Sequence, residues 1–183
     1  MTEKPIILNK ITVAKSRLFH IQSLDIQFSN GERRNYERLA RVNKGGAVLV
    51  VPLLDNETVL LIKEYSAGVH RYEIGLPKGK VDNGESFLIA ANRELKEEIG
   101  FGAKMLTHLS TFSLAPSYLE HTTEIIIAQD LYTEKLCGDE PEDLEVIAWK
   151  LSHINELLAT GECTEARSIA ALFMTIEYLK SLK

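Results

Sequence analysis

The chain has 183 residues, of which 45% are hydrophobic and 26% charged. That is enough for one domain with a sizeable core, and too apolar for a disordered polymer. A formal net charge of -5 argues against nucleic acid as a partner, which would need a basic stripe, but admits a phosphorylated small molecule if a cation screens the repulsion. There is no apolar signal core near residue 1 and no bilayer-length apolar run, and Cys137 and Cys163 have no disulfide or zinc spacing, so a cytoplasmic protein with reduced thiols and no membrane contact is expected.

Residues 6–41 read as β-rich. Leu18–Gln22 and Leu24–Phe28 suit strands, Asn30-Gly31 is a hairpin signal, and Arg33–Leu39 is the return strand. This ribbon, residues 1–42, is too small to hold a core alone. It is expected to pack on the main body, residues 43–183, or on a second subunit. Asn43–Gly46 is a turn. Ala47–Leu54 is a nearly continuous apolar run, the pattern of a strand buried on both faces. Thr58–Lys63 is a second strand, Ser66–Arg71 a loop, and Tyr72–Leu76 a short strand that ends at Pro77-Lys78-Gly79.

Ser86–Ile99 is the clearest helix, rich in Ala, Leu, Glu and Lys, with Gly100 at the place of a C-terminal cap. Leu106–Phe112, Thr123–Gln129 and Val146–Leu151 read as strands, and Asp139–Leu144 as an acidic loop. A helix capped by Ser152 runs to Ala159. A last helix over residues 164–182 carries Ile169, Leu172, Phe173, Ile176 and Leu179 on one stripe. Strands and helices alternate without a regular βαβ rhythm, which predicts an α/β protein with a mixed sheet covered by helices on both sides.

The helix 86–99 carries the chemistry. Glu94, Glu97 and Glu98 stand at i, i+3 and i+4, so their carboxylates share a face. Leu88, Ala91, Leu95 and Ile99 would bury the adjacent face. Clustered carboxylates repel, and a hard divalent cation with oxygen ligands removes that cost; Mg2+ is the usual ion beside phosphates. Arg93 and Glu85 are placed to orient the acidic groups by charge-assisted hydrogen bonds. An acidic run of this kind is by itself common on solvated helix faces. The longer pattern is not: Gly79, Glu85, Arg93, Glu94, Leu95, Glu97, Glu98, Gly100 and Phe101 fill every defined position of G-x5-E-x7-R-E-U-x-E-E-x-G-U, with U aliphatic or aromatic.

In that segment the chain resembles the Nudix hydrolase family. Pro116, 16 residues after Gly100, the Tyr72-Glu73 pair and the acidic loop are similar to the ADP-ribose pyrophosphatase branch, and most like its bacterial ADP-compounds hydrolases. The resemblance implies a Nudix α/β/α sandwich with a small N-terminal antiparallel ribbon as a dimerisation element. It also implies metal-dependent cleavage of the diphosphate in ADP-ribose, short diadenosine polyphosphates or NADH by a homodimer. Glu94 and Glu98 would be principal ligands of Mg2+, or of Mn2+, with Glu97 sharing a second ion and the Lys78 carbonyl adding an oxygen. Glu140 would be the general base, with Glu142 and Glu97 as alternatives, and Arg93 would serve the catalytic cluster. Arg33 and Arg34, together with Arg38 and Arg41, would reach phosphate across a dimer interface. Glu73 would bind ribose or adenine, and Tyr118 or Tyr36 would stack on the base. Rival readings are a diphosphatase for another nucleoside diphosphate sugar such as GDP-mannose, a non-catalytic nucleotide sensor, and an isoprenoid diphosphate isomerase. The intact set of box glutamates disfavours the sensor, and the lack of a motif around either cysteine disfavours the isomerase.

Overall fold

The computed structural model describes residues 3–41 and 45–182. Asn43 and Lys44 of the expected turn lie outside the described residues, as does the expected boundary between residues 42 and 43. Three antiparallel strands, β1 (Ile6–Lys15), β2 (His20–Gln27) and β3 (Arg33–Ala40), form an N-terminal sheet in the order β1-β2-β3. The Asn30-Gly31 turn joins β2 to β3, with Gly31 at φ +84°. The two strands expected within residues 18–28 are one. Ser23, a polar residue between Gln22 and Leu24, does not interrupt backbone pairing, since it stays opposite Glu37 in the ladder. β1 had no separate sequence signal because all ten of its residues are exposed, so no buried face imposes a two-residue rhythm.

The main sheet has seven strands: β4 (Ala47–Asp55), β5 (Thr58–Ser66), β6 (Arg71–Gly75), β7 (Lys78–Lys80), β8 (Phe101–Ser113), β9 (Thr122–Thr133) and β10 (Glu145–Lys150). The order is β10-β5-β4-β9-β8, with β6 on β5 and β7 on β4. β4 and β9 run parallel and the other described pairs antiparallel, so the sheet is mixed, as expected. The described residues form three α-helices: α1 (Phe87–Glu98), α2 (Ile154–Ala159) and α3 (Ala166–Ser181).

The continuous apolar run in β4 has a direct cause. Leu49, Val51 and Leu53 enter a core completed by Ile154 and Leu157 of α2 and Leu172 of α3. Val48 and Val50 enter a second core completed by Ala90, Ala91 and Leu95 of α1. Both faces of the strand are therefore dry. The layers are helix, sheet, helix, the sandwich expected.

Details of the helices differ from expectation. In α1 the buried residues are Ala90, Ala91, Glu94, Leu95 and Glu98, whereas Leu88 is 36% exposed. The apolar seam is narrow, and two carboxylates share the inward side with it. In α3, Leu172 is buried and Ile169, Ile176 and Leu179 pack against the same core as expected, but Phe173 is exposed and the smaller Ala171 and Thr175 face inward. Ser152 is not a cap. Leu151–His153 forms a 3-10 turn, and α2 starts at Ile154 without a side-chain cap. No described helix is long and apolar enough to cross a membrane.

Leu95 is fully buried between α1 and the sheet. Leu95→Ala is expected to lower unfolding stability by about 2–5 kcal/mol. Leu88→Ala is expected to cost under about 1 kcal/mol, since little buried surface is lost. Urea titrations followed by circular dichroism compare the two; equal losses would reverse the assignment of helix faces.

Candidate active site

The site is assembled where β7 meets α1. β7 pairs with β4, setting Gly79 opposite Val48 and Lys78 opposite Leu49. The chain then turns through Asp82-Asn83-Gly84, with Gly84 at φ +84°. Glu85 closes this turn: its N–H donates to the Asp82 carbonyl, and its carboxylate accepts from the Asp82 N–H, both at 3.1 Å. Ser86 caps α1 by accepting from the Ile89 N–H. The helix then runs back over β7, and Glu94 lies directly on Gly79. A Cβ at residue 79 would stand 2.0 Å from that carboxylate, so any larger residue displaces it. This close approach is the physical reason for glycine at the first position of the box.

Arg93 ties the parts together. Nε and one Nη donate to Glu85 at 3.1 Å, the other Nη donates to Glu94 and Glu97 at 2.8 Å, and the Lys80 carbonyl accepts at 2.8 Å. The guanidinium bond holds Glu85 below the usual carboxylate range despite burial. Burial pushes Glu94 up, Arg93 pulls it down, and Glu97 and Glu140 push it up again; the net direction is upward. Glu98 is buried more deeply, and desolvation drives it up to about 8, against the pull of Lys78 and with a further push from Glu94 and Glu64. Its Oε2 accepts from the Lys78 N–H at 3.0 Å.

These groups open onto a polar cleft of about 600 Å³, lined by Glu64, Lys78, Arg93, Glu94, Glu98 and Glu140 among others. Of the three candidates for general base, Glu140 and Glu97 line this cleft, and Glu97 is also bonded to Arg93. Glu142 accepts from the Tyr72 hydroxyl at 2.7 Å in the adjoining part of the loop.

The carboxylates expected to hold metal are thus brought together on one wall. Among the described residues, however, no three His, Cys, Asp or Glu side chains are gathered in a geometry that could hold an ion. Arg93 draws Glu94 and Glu97 to itself, and Glu98 is bonded to the backbone of β7. The chemistry of the donor set nevertheless fits a hard cation. The oxygens are carboxylate, they face a polar cleft, and burial holds Glu98 and Glu94 above their ordinary pKa despite the pull of Lys78 and Arg93, a cost that a bound cation would offset.

The other expected substrate residues lie elsewhere within the chain. Arg33 pairs with Asp25 and Arg34 with Glu32 on the N-terminal sheet, away from the cleft lining. Arg38 is bonded to Gln22 and Glu120, and Arg41 to Thr122. Glu73 is buried, and both of its oxygens have internal donors: Arg71 at 2.5 Å, and the N–H and hydroxyl of Thr164 at 3.0 and 2.8 Å. Burial pushes its pKa up, but these bonds win and hold it low. Its carboxylate ties β6 to the start of α3, with three of its acceptor sites taken by these internal donors. Tyr118 is exposed and lines an apolar groove with Phe28 and Tyr36, against the N-terminal sheet. Glu64 was missed. It lies on β5 two residues past Ile62, on the face toward α1, and its Oε2 accepts from Lys78 Nζ at 2.6 Å. The two-residue rhythm of Leu60 and Ile62 would have found it had the strand been carried past Lys63.

Comparison with known proteins gives a consistent result. The profile of the NudE-type Nudix hydrolase N-terminal domain matches residues 5–38, and that of the NUDIX domain matches residues 43–173. The chain is 52% identical over 178 residues to the ADP compounds hydrolase NudE of Escherichia coli, covering 97% of this chain and 95% of that protein. It is 29% identical to the ADP-ribose pyrophosphatase of Bacillus subtilis, over 94% of each. A crystal structure of an ADP compounds hydrolase superposes with a TM-score of 0.91 at 50% identity, covering 100% of this chain and 97% of that one.

The raised pKa of Glu98 predicts a pH effect on the metal-free protein. Its folded value of about 8 exceeds the ordinary 4.5, so the folded state binds the proton more tightly than the unfolded chain. The resulting stability is complete below the ordinary value and is lost as pH climbs through about 8. Glu98→Gln is therefore expected to melt above the parent by a few degrees at pH near 9 and to show no such advantage near pH 5. Scanning calorimetry in a chelator reads this; an advantage of the same size at both values would remove the Glu98 proton as its cause.

Proposed function

The chain belongs to the Nudix hydrolase family, and from that premise we propose that it hydrolyses the diphosphate linkage of ADP-containing compounds. ADP-ribose, short diadenosine polyphosphates and NADH are its substrates, and AMP is a product. The observation that carries this reading is the wall of carboxylates that Arg93 organises along a polar cleft, with Glu140 facing it from a separate loop. The activity named for the relatives from Escherichia coli and Bacillus subtilis supports it. GDP-mannose is the competing substrate class, because the box residues act on the diphosphate that both compounds share and not on the base.

Nudix hydrolases generally use divalent metal ions, and Mg2+ is our choice, with Mn2+ as the alternative. Glu94, Glu97, Glu98 and the Lys78 carbonyl would hold it. When bound, the ion neutralises phosphate charge and acidifies water. The chain's own groups do the rest. Glu140 takes a proton from the attacking water, whose oxygen bonds to phosphorus while the bridging P–O bond breaks and the bridging oxygen leaves with the other product. Arg93 keeps Glu94 and Glu97 from drifting apart between turnovers. Lys78 and Lys80 bring positive charge to the cleft, where the diphosphate enters.

We also propose that two copies associate through the N-terminal ribbon, residues 1–42. β1 leaves Ile6, Ile7, Leu8, Ile11 and Val13 exposed, apolar side chains that a second copy would cover. Such a partner would offer its Arg33 and Arg34 to the neighbouring site. The remaining body, residues 43–183, is then the hydrolase domain, and the cytoplasm, where free Cys137 and Cys163 stay reduced, is its place of work.

Incubation with Mg2+ and ADP-ribose is expected to yield AMP and ribose 5-phosphate. Glu98→Gln should reduce kcat by roughly three orders of magnitude with an unchanged circular dichroism spectrum, as expected for loss of an ion ligand. Glu140→Gln should slow turnover with metal affinity kept. Release of GMP from GDP-mannose in preference to AMP from ADP-ribose would move the assignment to the competing class. For the assembly, Ile7→Glu with Ile11→Glu is expected to convert a dimer to a monomer in light scattering; a dimer that persists would place the interface elsewhere.

A further inference from the structure

The loop that carries Glu140 is fastened at both ends. At its start, the Leu136 N–H donates to the Lys96 carbonyl at 3.0 Å, and Lys135 Nζ donates to the Glu97 carbonyl at 2.8 Å. Both carbonyls belong to the last turn of α1, where the helix itself supplies no donor and a cation is favourable. At the far end, the Tyr72 hydroxyl on β6 donates to Glu142 Oε1 at 2.7 Å. Residues 137–141 span the interval and line the cleft, Glu140 among them. Within the span, a Cβ at Gly138 would stand 2.0 Å from the Glu140 carboxylate, so that side chain lies folded against the loop's own backbone. A short segment held at both ends has few ways to move its central side chain.

Tyr72 is itself held in place. Its ring meets Tyr65 edge-on at 5.7 Å, and the Tyr65 hydroxyl bonds His70 Nδ1 at 2.5 Å. The ring is 47% exposed, so core burial does not explain its position. The bond to Glu142 pushes the phenol pKa up, further above an ordinary value that already leaves the hydroxyl a donor at neutral pH. The first anchor joins the loop to the helix of metal-binding carboxylates, and the second joins it to the strand that leads into the site.

We propose that Tyr72 is a positioning residue: its hydroxyl, by holding Glu142, keeps Glu140 stationed across the cleft from the carboxylates of α1. The inference rests on the reading of Glu140 as general base. Displacing a base by about 1 Å can cost up to a hundredfold in rate, so release of one of two anchors is expected to cost about tenfold in kcat.

The test uses the full chain with ADP-ribose and Mg2+, together with amide hydrogen exchange of residues 137–144 measured without metal. Tyr72→Phe and Glu142→Ala should each lower kcat about tenfold, with KM within about twofold, and each should speed exchange in the loop. Glu142→Gln should stay near the parent, because its amide oxygen accepts the same hydroxyl. Tyr72→Phe combined with Glu142→Ala should be no slower than either alone, as for two ends of one contact. Parent-like kcat and exchange in Tyr72→Phe would overturn the proposal. So would a Glu142→Gln variant as inactive as Glu140→Gln, which would make Glu142 the reacting acid. Full turnover by Glu140→Gln would sink the base assignment instead, and the exchange rates would then decide the tether separately.

Discussion

Arg93 offers five N–H donors, and all five are used inside the site. Two go to Glu85, one each to Glu94 and Glu97, and one to the Lys80 carbonyl. One cation thereby fixes the turn after β7, the register of α1 against that turn, and the separation of two carboxylates that would otherwise repel. Lysine could not do this, since a compact ammonium lacks the planar fork. Because every partner is itself on a rigid element or closes a short turn, the geometry is set before any ligand arrives.

The same arrangement leaves an electrostatic deficit. Arg93 serves Glu85, Glu94 and Glu97, but Glu98 receives only a backbone N–H and the more distant charge of Lys78, which is itself paired with Glu64. Glu98 is therefore the group whose ionisation burial resists most among the carboxylates of the wall. Folding tolerates this because α1 is anchored by Leu95, Ala90 and Ala91 on the sheet. The hydrophobic seam and the acidic wall thus belong to one helix. The first holds in place what the second would push apart.

How much of this was legible in the sequence depends on the range of the interactions involved. The box residues could be placed on one helix because i, i+3 and i+4 spacing is local geometry, and β4 could be read as doubly buried because its apolar run has no polar break. Glu64 and the Tyr72–Glu142 contact were not legible. Each joins residues far apart in sequence, 14 for Glu64 to Lys78 and 70 for Tyr72 to Glu142, through the pairing of β5 with β6 and the path of a loop. On the inward side of α1, Ala91, Leu95 and Ile99 are buried as expected, and Leu88 was misjudged for a related reason. A pattern that ranks Leu above Ala and Glu puts Leu88 inside, whereas the narrow gap above β7 admits Ala90 and the bonded carboxylates of Glu94 and Glu98.

The assigned roles of Glu73 and of the arginines of β3 show what a residue type alone conveys. A buried glutamate next to a catalytic motif invites a substrate role, but its two oxygens are already met by Arg71 and Thr164. A buried carboxylate with both oxygens bonded internally is part of the frame, since redirecting it to a ligand would cost those bonds as well as desolvation. Arg33 and Arg34 are the opposite case. Their ion pairs with Asp25 and Glu32 are on the surface, where such pairs are weak and easily exchanged. They can leave their partners for a phosphate at little cost, so what decides their part in the chemistry is whether association brings a second cleft within their reach.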